Sequence, residues 1–97
     1  MDDANAKRHI QAHADAVARG DMDHVIGDFV EELRPQVPQI ATALPQPVEE
    51  AEVLSVDTGD QEAIAMIRYA GGGKDVTIRT RWREVDGRPL IAHAEPA

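Results

Sequence analysis

The chain has 97 residues, 42% of them hydrophobic and 29% charged, with no cysteine and a formal net charge of -8. So short a chain forms a single domain, read as spanning 1–97, and buries only about 60–65% of the surface it exposes when unfolded. The composition excludes a disordered chain, disulfides, thiolate catalysis and cysteine-ligated metal, and the acidic balance argues against nucleic acid or an anionic membrane as partner.

The start, Met1-Asp2-Asp3-Ala4-Asn5, is acidic and leads into no apolar signal region, and no apolar run approaches the ~20 residues of a membrane span. The expected location is cytoplasmic. The charge is unevenly placed: residues 1–62 carry 14 acidic and 4 basic side chains, residues 63–97 carry 4 acidic and 6 basic.

Residues 3–19 are alanine-rich and place Ile10, Ala14 and Val17 on one helical stripe, with Gly20 suited to the left-handed exit. Asp21 caps a second helix in which Met22, Val25, Ile26, Phe29, Val30 and Leu33 share a face, until Pro35 stops it. Val37, Ile40, Ala41 and Leu44 keep helical spacing in a short third helix between Pro35 and Pro45. Pro38 is tolerable there only in the first turn.

From Val48 the period changes to two. Four strands fit, at 48–57, 62–70, 75–85 and 89–95. Their turns are Thr58-Gly59-Asp60-Gln61, Gly71-Gly72-Gly73-Lys74 and Asp86-Gly87, the last suited to a two-residue type I′ hairpin. Two or three helices followed by an antiparallel meander predict an α+β fold, with the helices on one face of a curved four-stranded sheet.

The turns set a register, because side chains alternate faces strictly. The Asp-Gly turn pairs Val85 with Arg88, Trp82 with Ile91 and Thr80 with His93. The glycine loop pairs Tyr69 with Val76, Ile67 with Ile78, Ala65 with Thr80 and Ala63 with Trp82. These residues form the face expected under the helices. An even first turn, the preferred one, adds Val56, Leu54, Glu52 and Glu50 to it; an odd turn would add Val53 and Ala51. The opposite face carries Arg68, Arg79, Arg81 and Arg83 beside Met66, Ile64, Leu90, Ala92 and Val53. Arginines around apolar centres fit an association surface, and the expected interface is Arg79, Arg81, Arg83, Met66 and Leu90. The plainer reading is that arginine stems cover the exposed side of a small sheet.

The segment from His13 to Phe29, a helix ending in Gly20-Asp21 followed by an amphipathic helix ending in Phe29, resembles the opening of the nuclear-transport-factor-two-like (SnoaL-like) superfamily. The hairpin Thr80-Arg81-Trp82-Arg83-Glu84-Val85-Asp86-Gly87-Arg88-Pro89-Leu90-Ile91 is similar to that family's last two strands. The resemblance implies a cone in which a curved sheet and helices enclose an apolar pocket, and it implies homodimerisation through the outer sheet face. Family enzymes carry an acidic, aromatic-rich segment and an extra strand where this chain has Leu33-Arg34-Pro35-Gln36-Val37-Pro38. The isomerases take their aspartate base from that segment, and nothing here matches it. Their helix-one tyrosine and strand aspartate fall at His13 and Thr80. Isomerase activity is therefore not expected.

His9 and His13 share a helix face, yet no motif supplies further ligands, so no metal and no cofactor is assigned. His93, placed beside Thr80 on the covered face, is the first candidate acid or base, and His13 the second. The residues expected to line a small pocket are Tyr69, Thr80, Trp82, His93 and Phe29; the alternative for each is ordinary packing. The Gly71-Gly72-Gly73-Lys74 run lacks a following helix and is read as a loop, not a phosphate cradle. Two functions fit: a homodimer holding a small apolar ligand, or an interaction module using the arginine-bearing face.

Overall fold

A computed structural model describes all residues 1–97. Helix α1 spans Asp3–Arg19 and α2 spans Met22–Gly27. A 3-10 segment, Glu31–Gln36, leads into α3, Val37–Ala41. Four strands follow: β1 Glu50–Thr58, β2 Glu62–Gly71, β3 Lys74–Val85 and β4 Arg88–Pro96. They form one antiparallel sheet in the order β1-β2-β3-β4. The expected α+β meander is what the chain forms, and no helix is long and apolar enough to cross a membrane.

Both N-terminal helices begin at aspartate caps. Asp2 accepts from the Asn5 amide at 3.0 Å and Asp21 from the His24 amide at 3.3 Å, each satisfying a free donor of the first turn. Gly20 leaves α1 with φ 73°, and its amide bonds back to Val17 at 3.2 Å. The buried stripe of α1, from Ala6 through Ile10 to Ala14, packs on the sheet.

The second helix is shorter than its periodicity predicts. It ends at Gly27, and the chain then runs extended past Phe29 to Val30 instead of continuing to Leu33. The backbone of 28–30 docks on the edge of β4: the Ile91 amide donates to the Asp28 carbonyl at 2.7 Å, and the Val30 amide to the Ile91 carbonyl at 2.9 Å. These bonds, after a glycine of low helix propensity, replace the helical ones. Met22, expected on the buried face, is 46% exposed.

The two central strands obey strict alternation. Tyr69 pairs with Val76, Ile67 with Ile78, Ala65 with Thr80 and Ala63 with Trp82, as read from the sequence. Gly71 and Lys74 themselves pair, so the glycine turn tightens to Gly72-Gly73, with φ 54° and 81°. Asp86 and Gly87 also have positive φ, 51° and 80°, as a type I′ hairpin needs. Gly71 is required for a different reason: an added Cβ would lie 2.0 Å from the Pro47 carbonyl oxygen.

The edge strands depart from alternation, and each departure corrects an expectation. In β1, Val56 faces inward opposite Ala65, but a bulge at Leu54 shifts the register, so that Val53 pairs with Ile67 and Ala51 with Tyr69. Leu54, Glu52 and Glu50 are therefore exposed, not covered, and Val53 and Ala51 pack against the core. In β4, Trp82 pairs with Ile91 as expected, but a bulge then sets Arg81 opposite His93 and Thr80 opposite Ala94. His93 consequently lies on the outer face. Both bulges act alike: strict alternation would have buried Glu52 and Glu50 in one strand and His93 in the other, and the extra residue turns a small apolar side chain inward instead.

Candidate functional site

The most heavily hydrogen-bonded buried group is one the sequence did not single out. Asp28, at the C-terminal cap of α2, is 1% exposed. His13 Nδ1 on α1 donates to Asp28 Oδ2 at 2.9 Å, and Arg88 at the start of β4 donates to Oδ1 at 2.8 Å. His24 Nε2, one turn before Asp28 on α2, lies 3.3 Å from Oδ2. One carboxylate thus joins α1, α2 and the β3–β4 hairpin. A guanidinium only donates, so Asp28 meets Arg88 as an acceptor, and this arrangement offsets the cost of its burial. The His24-to-Asp28 spacing of four was the available signal. Nothing in the sequence tied Asp28 to Arg88, 60 positions away.

The His13 imidazole stands edge-on to two aromatic rings, with centroids 5.5 Å from Trp82 and 6.1 Å from Phe29. Trp82 is fully buried and its Nε1 donates to Thr80 Oγ1 at 2.9 Å; Thr80 donates onward to the Ala65 carbonyl at 3.0 Å. Nδ1 of the His13 ring is taken by Asp28, and Nε2 has no hydrogen-bond partner within the chain.

A cavity of about 40 Å³ lies beside this cluster, lined chiefly by apolar side chains together with His13, Tyr69 and Thr80. Of the pocket residues read from the sequence, Phe29, Tyr69 and Thr80 line it, while Trp82 sits outside the lining and His93 is not there. His93 has a half-exposed side chain 3.4 Å from Glu95 on the outer face, away from the cavity that His13 lines. Burial, with the Asp28 charge adding to it, pushes the Tyr69 hydroxyl well above its ordinary pKa of 10.0. Burial also pushes the His9 imidazole down, reinforced by the Arg88 and Arg8 guanidiniums. No group of three potential ligands is arranged to hold a metal.

On the outer face, Arg68 bonds Asp75, Arg79 lies 3.8 Å from Glu95, and Arg83 reaches Glu32 at 3.4 Å. Arg81 is exposed between Ile64 and His93 and has no such partner. The half-buried Met66 lies diagonal to it on β2, and Leu54, at 49% exposure, lies further along on β1. Leu90, expected in the interface, is only 9% exposed and lies in a crevice with Val30, Arg34 and Val85. The docked 28–30 segment covers it from within the chain.

No protein-family model and no curated protein matches the sequence significantly. Solved structures do match in shape. An NTF-2-like protein of unknown function from Burkholderia xenovorans LB400 superposes with a TM-score of 0.72 at 14% identity, over 97% of this chain and 82% of that one. The chain has the NTF-2-like fold. A SEC-C motif-containing protein from Rhodopseudomonas palustris is also similar, with a TM-score of 0.66 at 19% identity, over 92% of this chain and 76% of that one. In this fold the His13 and Thr80 positions implied by the resemblance come together at one cavity, although they lie 67 positions apart in the chain. At such identities the likeness carries fold and not chemistry.

Proposed function

We propose that this NTF-2-like domain is a protein-association module that pairs with a second copy through its outer sheet face. The observation that carries the reading is Arg81, exposed and unpaired on the central strand β3 of that face, with Ile64 opposite it on β2 and Met66 diagonal to it. Arginine over an apolar patch is the composition of interface centres. A second copy is favoured because the face is electrically self-complementary. Its centre is basic, with Arg79, Arg81 and Arg83 in a row, and its margins carry Glu52 and Asp57 on β1 and Glu95 on β4. A two-fold pairing can set the centre of each copy against a margin of the other.

Sedimentation velocity tests this. Wild type is expected to sediment as a dimer, and Arg81→Glu as a folded monomer, because the substituted side chain is exposed and touches no core residue. A wild-type monomer at all accessible concentrations, or a dimer unaffected by Arg81→Glu, overturns the reading.

A second reading, a small apolar ligand held between helices and sheet, is supported by the apolar lining around His13. The cavity itself, about 40 Å³, is far below the ~300 Å³ of an ordinary ligand pocket, so this reading needs further space.

A further inference from the structure

On the outer face Arg81 is a donor without an acceptor, and Glu95, close by, is an acceptor only loosely held. Both lie on the β3–β4 half of the face, where Arg81 pairs in register with His93 and Arg79 with Glu95. The half-exposed Glu95 carboxylate has only ionic neighbours: Arg79 lies 3.8 Å from Oε1, and His93 Nε2 lies 3.4 Å from Oε2. The other arginines of the face are better served. Arg68 bonds Asp75 through two nitrogens, and Arg83 donates to Glu32.

Glu95 is one strand from Arg81, whereas Glu52 and Asp57 stand on β1, two strands away. A two-fold axis passing near the Arg81–His93 pair therefore brings each Arg81 onto the other copy's Glu95 with little displacement. His93 stands between these groups, and histidine is the side chain whose charge changes near neutral pH. Its charged neighbours are Arg79 and Arg81 on β3 and Glu95 on β4; Arg83, further along β3, is drawn to Glu32 of the 3-10 segment. The helical side brings only the uncharged Gln36 and Gln39 to the crevice beside Glu95. With His93 neutral, Arg79, Arg81 and Glu95 leave a single net positive charge on each copy. Protonation of His93 doubles it.

We infer that pairing of two copies through this face is proton-controlled: Arg81 of each copy bonds the partner's Glu95 while His93 is neutral, and protonation of His93 opens the pair. This inference rests on the association reading above and names its contact and its switch. The charged imidazole acts in two ways. It draws the Glu95 carboxylate back onto its own chain, away from the incoming arginine. It also sets a second positive charge beside Arg81, facing the like-charged surface of the other copy. Each separated copy takes up a proton that the pair excludes, so linkage makes acid favour separation. Two histidines enter per pair, which steepens the dependence.

Sedimentation velocity of the full chain at about pH 8 and about pH 6, at one low salt concentration, tests this, because histidine takes up most of its proton across that range. The wild-type dissociation constant is expected to rise about tenfold from the higher pH to the lower. Circular dichroism and Trp82 emission confirm that the chain stays folded at both. His93→Gln, neutral throughout, is expected to lose the dependence, changing by less than about twofold. Glu95→Gln keeps the shape of the side chain, removes its charge, and is expected to weaken pairing about tenfold at the higher pH. Adding Glu95→Arg to Arg81→Glu is expected to restore pairing that Arg81→Glu alone loses.

Acid separation that persists in His93→Gln, or a wild-type pair as tight at the lower pH as at the higher, overturns the proton control and leaves the association reading standing. Undiminished pairing of Glu95→Gln, or no restoration by the charge swap, overturns the Arg81–Glu95 contact. A wild-type monomer at both pH values removes the association reading and this inference with it.

Discussion

The two faces of the sheet differ more than their shared strands suggest. Along β2, Ala63, Ala65, Ile67 and Tyr69 are at most 2% exposed, while the alternating Ile64, Met66 and Arg68 are half-buried. The inner face is closed by α1 and by the docked 28–30 segment, and its polar groups work in a connected set around Asp28 and Thr80. The outer face has ion pairs along its margins and an uncommitted arginine at its centre. A small chain can cover one side of a sheet fully, and association is the economical way to cover the other.

Trp82 and Arg81 test that contrast most sharply, because they are adjacent residues on opposite faces. Trp82→Ala removes the largest fully buried side chain and is expected to cost about 3–5 kcal/mol, much of the stability of so small a domain. Arg81→Ala is expected to change monomer stability by about 0.5 kcal/mol or less. Urea unfolding of both variants measures the difference, and comparable losses would break the contrast.

The same comparison holds for charge. Asp28→Ala leaves His13 and Arg88 without their acceptor inside the fold and is expected to cost about 3 kcal/mol. Glu95→Ala removes a half-exposed partner of Arg79 and His93, and its expected cost is below about 1 kcal/mol. Unfolding free energies at matched pH and salt decide between a structural role for the buried carboxylate and a dispensable one.

The smallest effect at neutral pH is expected from Tyr69→Phe, because its hydroxyl has no partner within the chain. Its signature is alkaline. The folded-state pKa is raised, so the contribution of Tyr69 is intact below the unfolded value of about 10 and is lost as pH rises above it, where only the unfolded chain readily releases the proton. Wild type is therefore expected to lose stability above pH ~10 faster than Tyr69→Phe. Tyrosinate absorbance is unambiguous, since Tyr69 is the only tyrosine. Tyrosinate forming at its ordinary pKa in the folded protein would contradict the closed inner face.

Much of the fold was legible because its signals are local. The Asp21 cap, the Gly20 exit, the paired positive φ at Asp86-Gly87 and the alternation of β2 against β3 all follow from neighbouring residues. The site was less legible. His13 and Thr80 were marked by the resemblance, Tyr69 by the register and Phe29 by the helical stripe of 22–33, but Asp28 and Arg88 carry no local pattern that joins them. His93 was misplaced by one residue of bulge, and Leu90 by a segment that the helical period of 22–33 concealed.

The sequence by itself determined the element order, the central hairpins and which side of β2 and β3 is buried, since helix caps, turn chemistry and two-residue alternation act within a few residues. Only the tertiary structure decided where α2 stops, where the edge strands bulge, and that one carboxylate gathers three elements. Those outcomes depend on which side chains a curved sheet can bury at its edges and which charges find partners there, and both are settled by residues far apart in the chain.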